Sequence, residues 1–526
     1  MADDPTYPYN LCKSFVVHLA GIISRRLLAD SMRCTAGQAI TIDDLPDEVL
    51  LEIFDIYVAE RQVLPDYIEF IVRSGSRKRE IESWQSLVHV CRRWRGLVFA
   101  SPRRLNLRLC CTPVTSARMS LDVWPSLPLH IESRMRGSDT VDNVIFAQLK
   151  HSDRIRQIEI FLHPFTTQQI EKLRTAMQVP FPELAVLHLS DSRPYGGSRL
   201  PVLPDSFLGG SAPRLRSLSL NSIPFPGIPK LLLSATHLVQ LWLINIPHSG
   251  YFSPEAMATC LSTLTSLKTL DLTFQSPESC PDLETQPPLL PTRFVLPTLE
   301  QFQFKGANEY LEEFVARIDA PQVYKLEITF FNDIHFDTPE LTQFISRTPK
   351  LWVYNEAHLI FNYHQATVSL LPPPKQSNNR GVQVTVLCQV SDWQLSFLAQ
   401  MCTLSSRLLL TTETLYIEDY YQPFDLTGDI EDTEWLDLLH PFSAVKNLYL
   451  SWEFAPHIAP ALQELTGERT TEVFPALQNL FLEGFQPSKH VHEGIARFVS
   501  ARQLTNQPVV ISDWDTRGIS LVVEAF

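Results

Sequence analysis

A chain of 526 residues is longer than one compact core usually grows, so two domains or an elongated repeat array is expected. Its 44% hydrophobic and 19% charged residues give a globular composition, and 39 prolines against 18 glycines imply turns punctuated by proline. The net charge of −14 sits in the second part: residues 1–150 carry 19 Lys and Arg against 18 Asp and Glu, and residues 151–526 carry 25 against 40. This argues against binding a nucleic-acid backbone and permits a basic protein target, though acidity also serves solubility.

In chain order, the apolar run Phe15 to Ile23 is far too short for a membrane span. The acidic start at Asp3-Asp4, with Arg25-Arg26 after the run, inverts the order of a secretory signal, so an N-terminal helix within an extension over 1–41 is expected. At residues 44–57, Pro46 suits a first helical turn, and Asp47 and Glu48 place negative charge at the positive end of the helix dipole. Val49, Leu50, Ile53, Phe54 and Tyr57 then recur at helical spacing, as do Trp84, Leu87, Cys91, Trp94 and Val98 further on. The pattern predicts two short helices whose apolar stripes are buried against a partner. Residues 61–83, with Arg73, Arg77, Lys78, Arg79, Glu80 and Glu82, read as a solvated insertion between them.

The order Leu45-Pro46-x-Glu48-Val49-Leu50-x-x-Ile53-Phe54, then Val90-Cys91-Arg92-x-Trp94, with Pro102 shortly after, resembles the F-box, the helical module that docks substrate receptors onto the Skp adaptor of cullin-RING ubiquitin ligases. The resemblance covers roughly residues 42 to 105. It departs from the family pattern at the insertion and at Leu105-Asn106, where a tryptophan is common. It implies a Skp adaptor and, through it, a cullin scaffold as partners, in the cytoplasm or nucleus. The implied adaptor-binding residues are Leu45, Pro46, Glu48, Val49, Leu50, Ile53, Phe54, Leu87, Val90, Cys91 and Trp94. The same tryptophans and leucines would also serve as the core of an ordinary helical hairpin.

Beyond residue 150 the chain returns to a Leu-x-x-Leu-x-Leu frame, often introduced by proline. It is clearest at Leu184, Leu215, Leu238 and Leu267, with variants opening at Ile155, Leu299, Val323, Val445 and Leu477 and weaker units around Leu351, Val384 and Leu415. The spacing matches the leucine-rich repeat, in which the alternating Leu-x-Leu is a short strand with one face inward. The predicted fold class is therefore α/β: a helical F-box-like module over 42–109, then an irregular leucine-rich-repeat solenoid over 110–526, its short parallel strands joined by helical or irregular returns. Return helices are expected from Pro254 and Pro339, and loops over 276–297 and after Leu371. The asparagine that usually follows the repeat strand is mostly missing, Asn221 and Asn245 being near exceptions.

The nine cysteines show neither zinc nor redox spacing and read as reduced intracellular thiols, with Cys91 a buried inert one. No phosphate-binding glycine loop, nucleophile elbow or zinc helix is present, and the pairs His490/His492 and His358/His364 lack a third ligand in recognisable spacing. No catalytic, cofactor or metal site is expected. If the strands present one face to a target, the residues between the core leucines project from it, which marks Trp242, Tyr416, Tyr449, Trp452 and Phe481 as contact candidates. Between Arg407 and Lys446 no Lys or Arg occurs, while Glu413, Glu418, Asp429, Glu431, Asp432 and Glu434 are among the acids interleaved with Tyr420, Tyr421 and Trp435, a surface that would steer a basic target. The expected function is a non-catalytic substrate receptor of a Skp-cullin-F-box ligase. The alternative is a free-standing repeat scaffold.

Overall fold

The computed structural model describes residues 42, 45–60, 83–111, 126–133, 149–163, 165–191, 200–277, 293–331, 338–351, 354–372, 380–388, 390–419, 432–465, 467–483 and 489–514. The expected N-terminal helix at Phe15–Ile23, nearly all of the insertion, most of both expected loops, residues 420–431 of the acidic stretch and the side chains of His490 and His492 lie outside these. The chain forms two units, Met1–Glu159 and Ile160–Phe526.

In the first unit, helix α1 spans Asp47–Glu60 and is entered through Pro46, whose carbonyl accepts from the Val49 and Leu50 amides at 3.1 Å. The second apolar stripe is not one helix. It forms α2 (Ser83–Val88) and α3 (Arg92–Ala100), broken at His89–Cys91. The break is held by Cys91 in extended backbone (φ −154°, ψ 170°), whose Sγ accepts the Trp94 amide at 3.5 Å, and by Arg95, whose Nε donates to the Val88 carbonyl at 3.0 Å. Cys91 is therefore a half-buried helix cap, not the buried thiol expected from the stripe. Phe54 packs on Trp94 with ring centroids 4.7 Å apart, and the Trp84 indole donates to the Arg108 carbonyl at 3.0 Å. Two short parallel strands, β1 (Leu109–Cys111) and β2 (Leu129–Ser133), follow, and β3 (Ile155–Phe161) carries the division between the units.

The second unit is a sheet of mostly parallel strands, the repeat architecture that the leucine frame predicts. Strands β4 (Val186–Ser190), β5 (Ser217–Asn221), β6 (Gln240–Ile246), β7 (Thr269–Phe274), β9 (Gln301–Gly306) and β11 (Lys325–Phe330) pair in that order, with a small side pair β8 (Phe294–Val295) and β10 (Ile318–Asp319). The frame leucines stack strand to strand: Leu187 faces Leu218, Leu241, Leu270, Phe302 and Leu326 in turn, all buried. Ahead of these strands the chain makes the same tight turn, an amide at the frame's first residue bonded three residues back: Leu184 to Phe181, Leu215 to Ala212, Leu299 to Leu296, Val323 to Ala320. Pro182, Pro213, Pro297 and Pro321 each take the second position of that turn, where a fixed φ near −65° is already correct; this accounts for part of the proline excess.

The returns include α4 (Thr167–Ala176), α5 (Ile228–Leu232), α6 (Pro254–Leu261), α7 (Asn308–Ala316) and α8 (Pro339–Ser346). As expected, α6 and α8 open on proline. Two first-turn amides of α8, at Glu340 and Leu341, are received by the Glu312 carboxylate of α7 at 2.8 and 2.9 Å, so adjacent repeats cap one another. Asn245 donates to Asn221 at 3.2 Å, so the two asparagines nearest the usual repeat position link the C-terminal ends of β5 and β6.

After β11 the expected continuous parallel order is interrupted. Strand β12 (Glu356–Asn362) turns back at Tyr363–His364 into β13 (Gln365–Leu371), and β14 (Gly381–Leu387) returns to pair with β11, so the spatial order is β11-β14-β13-β12. The turn is fixed by Asn362, whose Oδ1 accepts the amides of His364 and Gln365 at 2.8 and 2.9 Å. Parallel stacking resumes from β12 through β15 (Thr414–Asp419), β16 (Asn447–Leu450), β17 (Asn479–Glu483) and β18 (Val510–Trp514). Helices α9 (Ser391–Leu404), α10 (Ser406–Leu409), α11 (Asp432–Leu439), α12 (Ala455–Gln463) and α13 (Lys489–Leu504) cover this half. Trp435, read as part of an acidic surface, is instead buried in α11 against Phe361 and Phe454, because it shares a helix face with Leu438 and Leu439.

Candidate protein-interaction face

Opposite the leucine core, the non-core residues of the second unit fall into register across the sheet. One row runs from His188 on β4 through Ser219, Trp242, Asp271, Gln303 and Glu327 to β11. It continues through Gln383, Ser369 and His358, where the antiparallel strands leave the register intact, and then through Tyr416, Tyr449, Phe481 and Ser512. Strand spacing of about 4.8 Å sets the pitch.

The C-terminal half of this row is aromatic. His358 and Tyr416 stack at 4.4 Å and 9°, Tyr416 and Tyr449 at 4.4 Å and 19°, and Tyr449 and Phe481 at 4.2 Å and 6°. Trp514 of β18 lies beside the stack, 5.9 Å from Tyr416 and 5.3 Å from Tyr449. His358, 2% exposed, is oriented by Glu418, whose carboxylate is 2.9 Å from its Nδ1. Burial, then the charge of Glu356, holds both tyrosine phenols above their usual range; Glu418 and Tyr449 add to the effect on Tyr416. At the row's edge, Asn479 donates to Asn447 at 2.8 Å, pinning the strand starts of β16 and β17. The rings are thus locked by strand register, by stacking and by flanking hydrogen bonds, while Tyr416, Tyr449 and Phe481 keep part of their surface in solvent. Rigid aromatic edges of this kind contribute contact area at little entropic cost.

Of the five target-contact candidates, Tyr416, Tyr449 and Phe481 are brought together in this stack. Trp242 lies on the same row in the other half, edge-on to His188 at 6.0 Å. Trp452, 61% exposed, sits just past the end of β16 and outside the stack. Sequence reading missed His358 and Trp514. Strand alternation through Ala357, Leu359 and Phe361 would have put His358 on the outer face, but its place in the stack depends on a register reached only through the hairpin.

The polar half holds Asp271, 5% exposed, with Oδ1 buried and without a hydrogen-bond partner. Burial, reinforced by the nearby Glu327 carboxylate and opposed by Lys325, pushes its carboxyl up to about 8. Lys325 itself pairs with Glu327 at 2.9 Å.

In the first unit the adaptor candidates divide by exposure. Leu50, Ile53, Phe54, Leu87 and Trp94 are buried in this chain, where the apolar stripes of the helices close on each other. Pro46, Glu48 and Val90 are exposed, and Leu45, Val49 and Cys91 are half-buried. Arg93 ties this surface down, donating to Asp47 at 2.6 Å and to the Leu45 carbonyl at 2.6 Å.

Among the described residues no group of three His, Cys, Asp or Glu is placed to hold a metal, and no helix is long and apolar enough to cross a membrane. Burial pushes the Cys260 thiol up to about 12 and raises Cys402 as well, which keeps both protonated and unreactive.

No family model matches the sequence, and no curated protein matches it. Among solved structures it is similar to the leucine-rich repeat-containing protein LegL7 from Legionella pneumophila, at 11% identity and a TM-score of 0.25 over 77% of this chain and 99% of that one. A second similar structure is the Rad7 and Elc1 complex in yeast, at 9% identity and a TM-score of 0.25 over 99% of this chain and 100% of that one. With TM-scores this low, the functional reading rests on this chain's own residues.

Proposed function

We propose that this protein is a non-catalytic target receptor, whose repeat unit holds a protein target on the outer sheet face and whose helical unit recruits a Skp-type adaptor and thereby a cullin-RING ubiquitin ligase. The observation that carries the receptor reading is the aligned aromatic stack of Tyr416, Tyr449 and Phe481, partly solvent-exposed and unneeded by the leucine core behind it. Proximity labelling in cells, followed by surface-plasmon kinetics on the first target found, tests it. Tyr449→Ala is expected to speed dissociation about thirtyfold, the loss of about 2 kcal/mol typical of an aromatic anchor. Unchanged dissociation from every target found would place the binding face elsewhere.

The adaptor half of the proposal is supported by the F-box-like order of residues and by the solvent access that Leu45, Pro46, Glu48, Val49, Val90 and Cys91 each retain. Val49→Asp and Val90→Asp, separately and together, are expected to leave the helical unit folded and to lower recovery of purified Skp adaptor by about tenfold or more, since a desolvated charge in an apolar contact costs roughly 2 kcal/mol or more. A second reading, a free-standing repeat scaffold, is favoured by the burial of Leu50, Ile53, Phe54, Leu87 and Trp94 inside their own unit, which gives those residues a use without any adaptor. It expects no adaptor to copurify from a native lysate.

A further inference from the structure

The aromatic stack ends at Phe481 for want of a side chain, not for want of a strand. Strand β18 continues the sheet in register, with Ser512 opposite Phe481. Tyr449 covers one face of Phe481 at 4.2 Å and 6°, so its other face looks across the rung above Ser512. That rung is reachable from solvent on the Val510 side: Phe481 and Ser512 keep part of their surface exposed, and Val510, two residues before Ser512 on the same face, is 58% exposed. Trp514, two residues after Ser512, is buried and leans toward Tyr449 at 5.3 Å. The stack already repeats at 4.2 to 4.4 Å, so a flat group entering there would meet Phe481 at a spacing the ladder itself uses.

Charge decides what kind of flat group. By strand alternation, the charged side chains that β12, β15, β16, β17 and β18 present on this face are Glu356, Glu418 and Glu483, all carboxylates, with no Lys or Arg among them. Glu483 lies two residues past Phe481, in register with Trp514. Burial is the main cause of the upward shift of Tyr416 and Tyr449, and the charge of Glu356 adds to it, consistent with a negative charge near the rings. A planar cation satisfies both the ring face and the field. A guanidinium is planar, weakly hydrated and stacks on aromatic faces, whereas an ammonium is compact and strongly hydrated.

We propose that the rung above Ser512 receives an arginine side chain of the bound target, its guanidinium stacked on Phe481 as the next member of the ladder, with Glu483 as the neighbouring carboxylate. The proposal rests on the outer face being the target-binding face and adds the chemistry it selects.

The test uses the full chain and fluorescein-labelled octa-arginine and octa-lysine peptides, compared by anisotropy at one ionic strength. Attraction to an acidic protein in bulk acts on both peptides alike. Stacking is expected to favour octa-arginine by about tenfold. Ser512→Phe fills the rung with a ring of the protein's own, and Phe481→Leu removes the flat surface while keeping apolar volume. Each is expected to bring octa-arginine down to the octa-lysine affinity while changing octa-lysine binding by much less, with Phe481→Leu lowering the melting temperature modestly through loss of the Tyr449 stack but leaving the unfolding transition cooperative. Equal affinities for the two peptides with the unaltered protein, or an arginine preference that survives both substitutions, overturns the inference. A cellular target that depends on Tyr449 but not on its own arginines overturns it too, while leaving the face assignment standing.

Discussion

Asp271→Asn is expected to stabilise the repeat unit at alkaline pH and to flatten the dependence of its melting temperature on pH between about 4 and 8. The native carboxyl is raised from 3.8 to about 8, first by burial and then by Glu327. Within that window the folded chain retains a proton on Asp271 that the unfolded chain has released. Folding then takes up a proton, and the native state loses stability as pH rises. Below about pH 4 both states are protonated and the penalty vanishes; above about pH 8 it is present in full. Asparagine is neutral throughout, so the gain over the unaltered protein should be small at pH 4 and reach roughly 6 kcal/mol at most by pH 9. Differential scanning fluorimetry at four pH values on both proteins measures it. Glu327→Gln, which removes the second cause, should shift the midpoint of the effect downward without abolishing it. Parallel curves for Asp271→Asn and the unaltered protein would mean that Asp271 is ionised in the fold.

On the proposed target-binding reading, the position of Asp271 gives that effect a functional sense. It occupies the same lateral row as the aromatic stack, five strands from His358 in the spatial order β7-β9-β11-β14-β13-β12, or about 24 Å at ordinary strand spacing. A destabilising acid on the outer face is not required by the leucine core, which is complete without it. Such unrequired destabilisation is expected where a binding face is retained at the expense of stability.

The repeat was legible because its two signals are local. A Leu-x-x-Leu-x-Leu frame fixes which face of a strand is buried, and the proline-led turn before it fixes where the strand starts; neither needs knowledge of distant residues. The return helices at Pro254 and Pro339 were legible for the same reason. The antiparallel hairpin was not. Gln365–Leu371 alternates like any half-buried strand, and only the choice of partner, set by the Asn362 turn and by β14 reaching back to β11, makes it antiparallel. The break between α2 and α3 was hidden by an apolar periodicity that runs straight through it. A cysteine cap and one arginine decide it, and cysteine is not a strong capping signal.

The aromatic face was half legible. Alternation was enough to point Tyr416, Tyr449 and Phe481 outward, since each sits between two core residues of its own strand. That they meet as a stack, joined by His358, required the register of strands far apart in sequence. Trp435 shows the opposite failure. Its acidic neighbours suggested a surface, although Trp435, Leu438 and Leu439 lie at helical spacing and already marked a buried face. Charge around an aromatic residue is weaker evidence of exposure than the period of the apolar residues that share its helix.

Leu50→Asp and Ile53→Asp are expected to unfold the helical unit, and this separates them from the surface substitutions at Val49 and Val90. Leu50 and Ile53 are 0% and 1% exposed, on the side of α1 that closes against α2 and α3, where Phe54 meets Trp94 at 4.7 Å. A carboxylate placed among these apolar side chains is stripped of water, so each substitution should destabilise the unit by about 3 kcal/mol or more. Hydrogen exchange on the full chain reads this directly: amides of α1 and α3 should lose protection, while those of β4 to β7 keep theirs. Loss of adaptor binding by these two variants would then report a melted module and not a lost contact. The Val49→Asp and Val90→Asp variants, with protection retained, carry the information about docking. If instead α1 stays protected in Ile53→Asp while the adaptor is lost, Ile53 must turn outward when the adaptor binds, and the buried arrangement is then the resting form of a module that opens onto its partner.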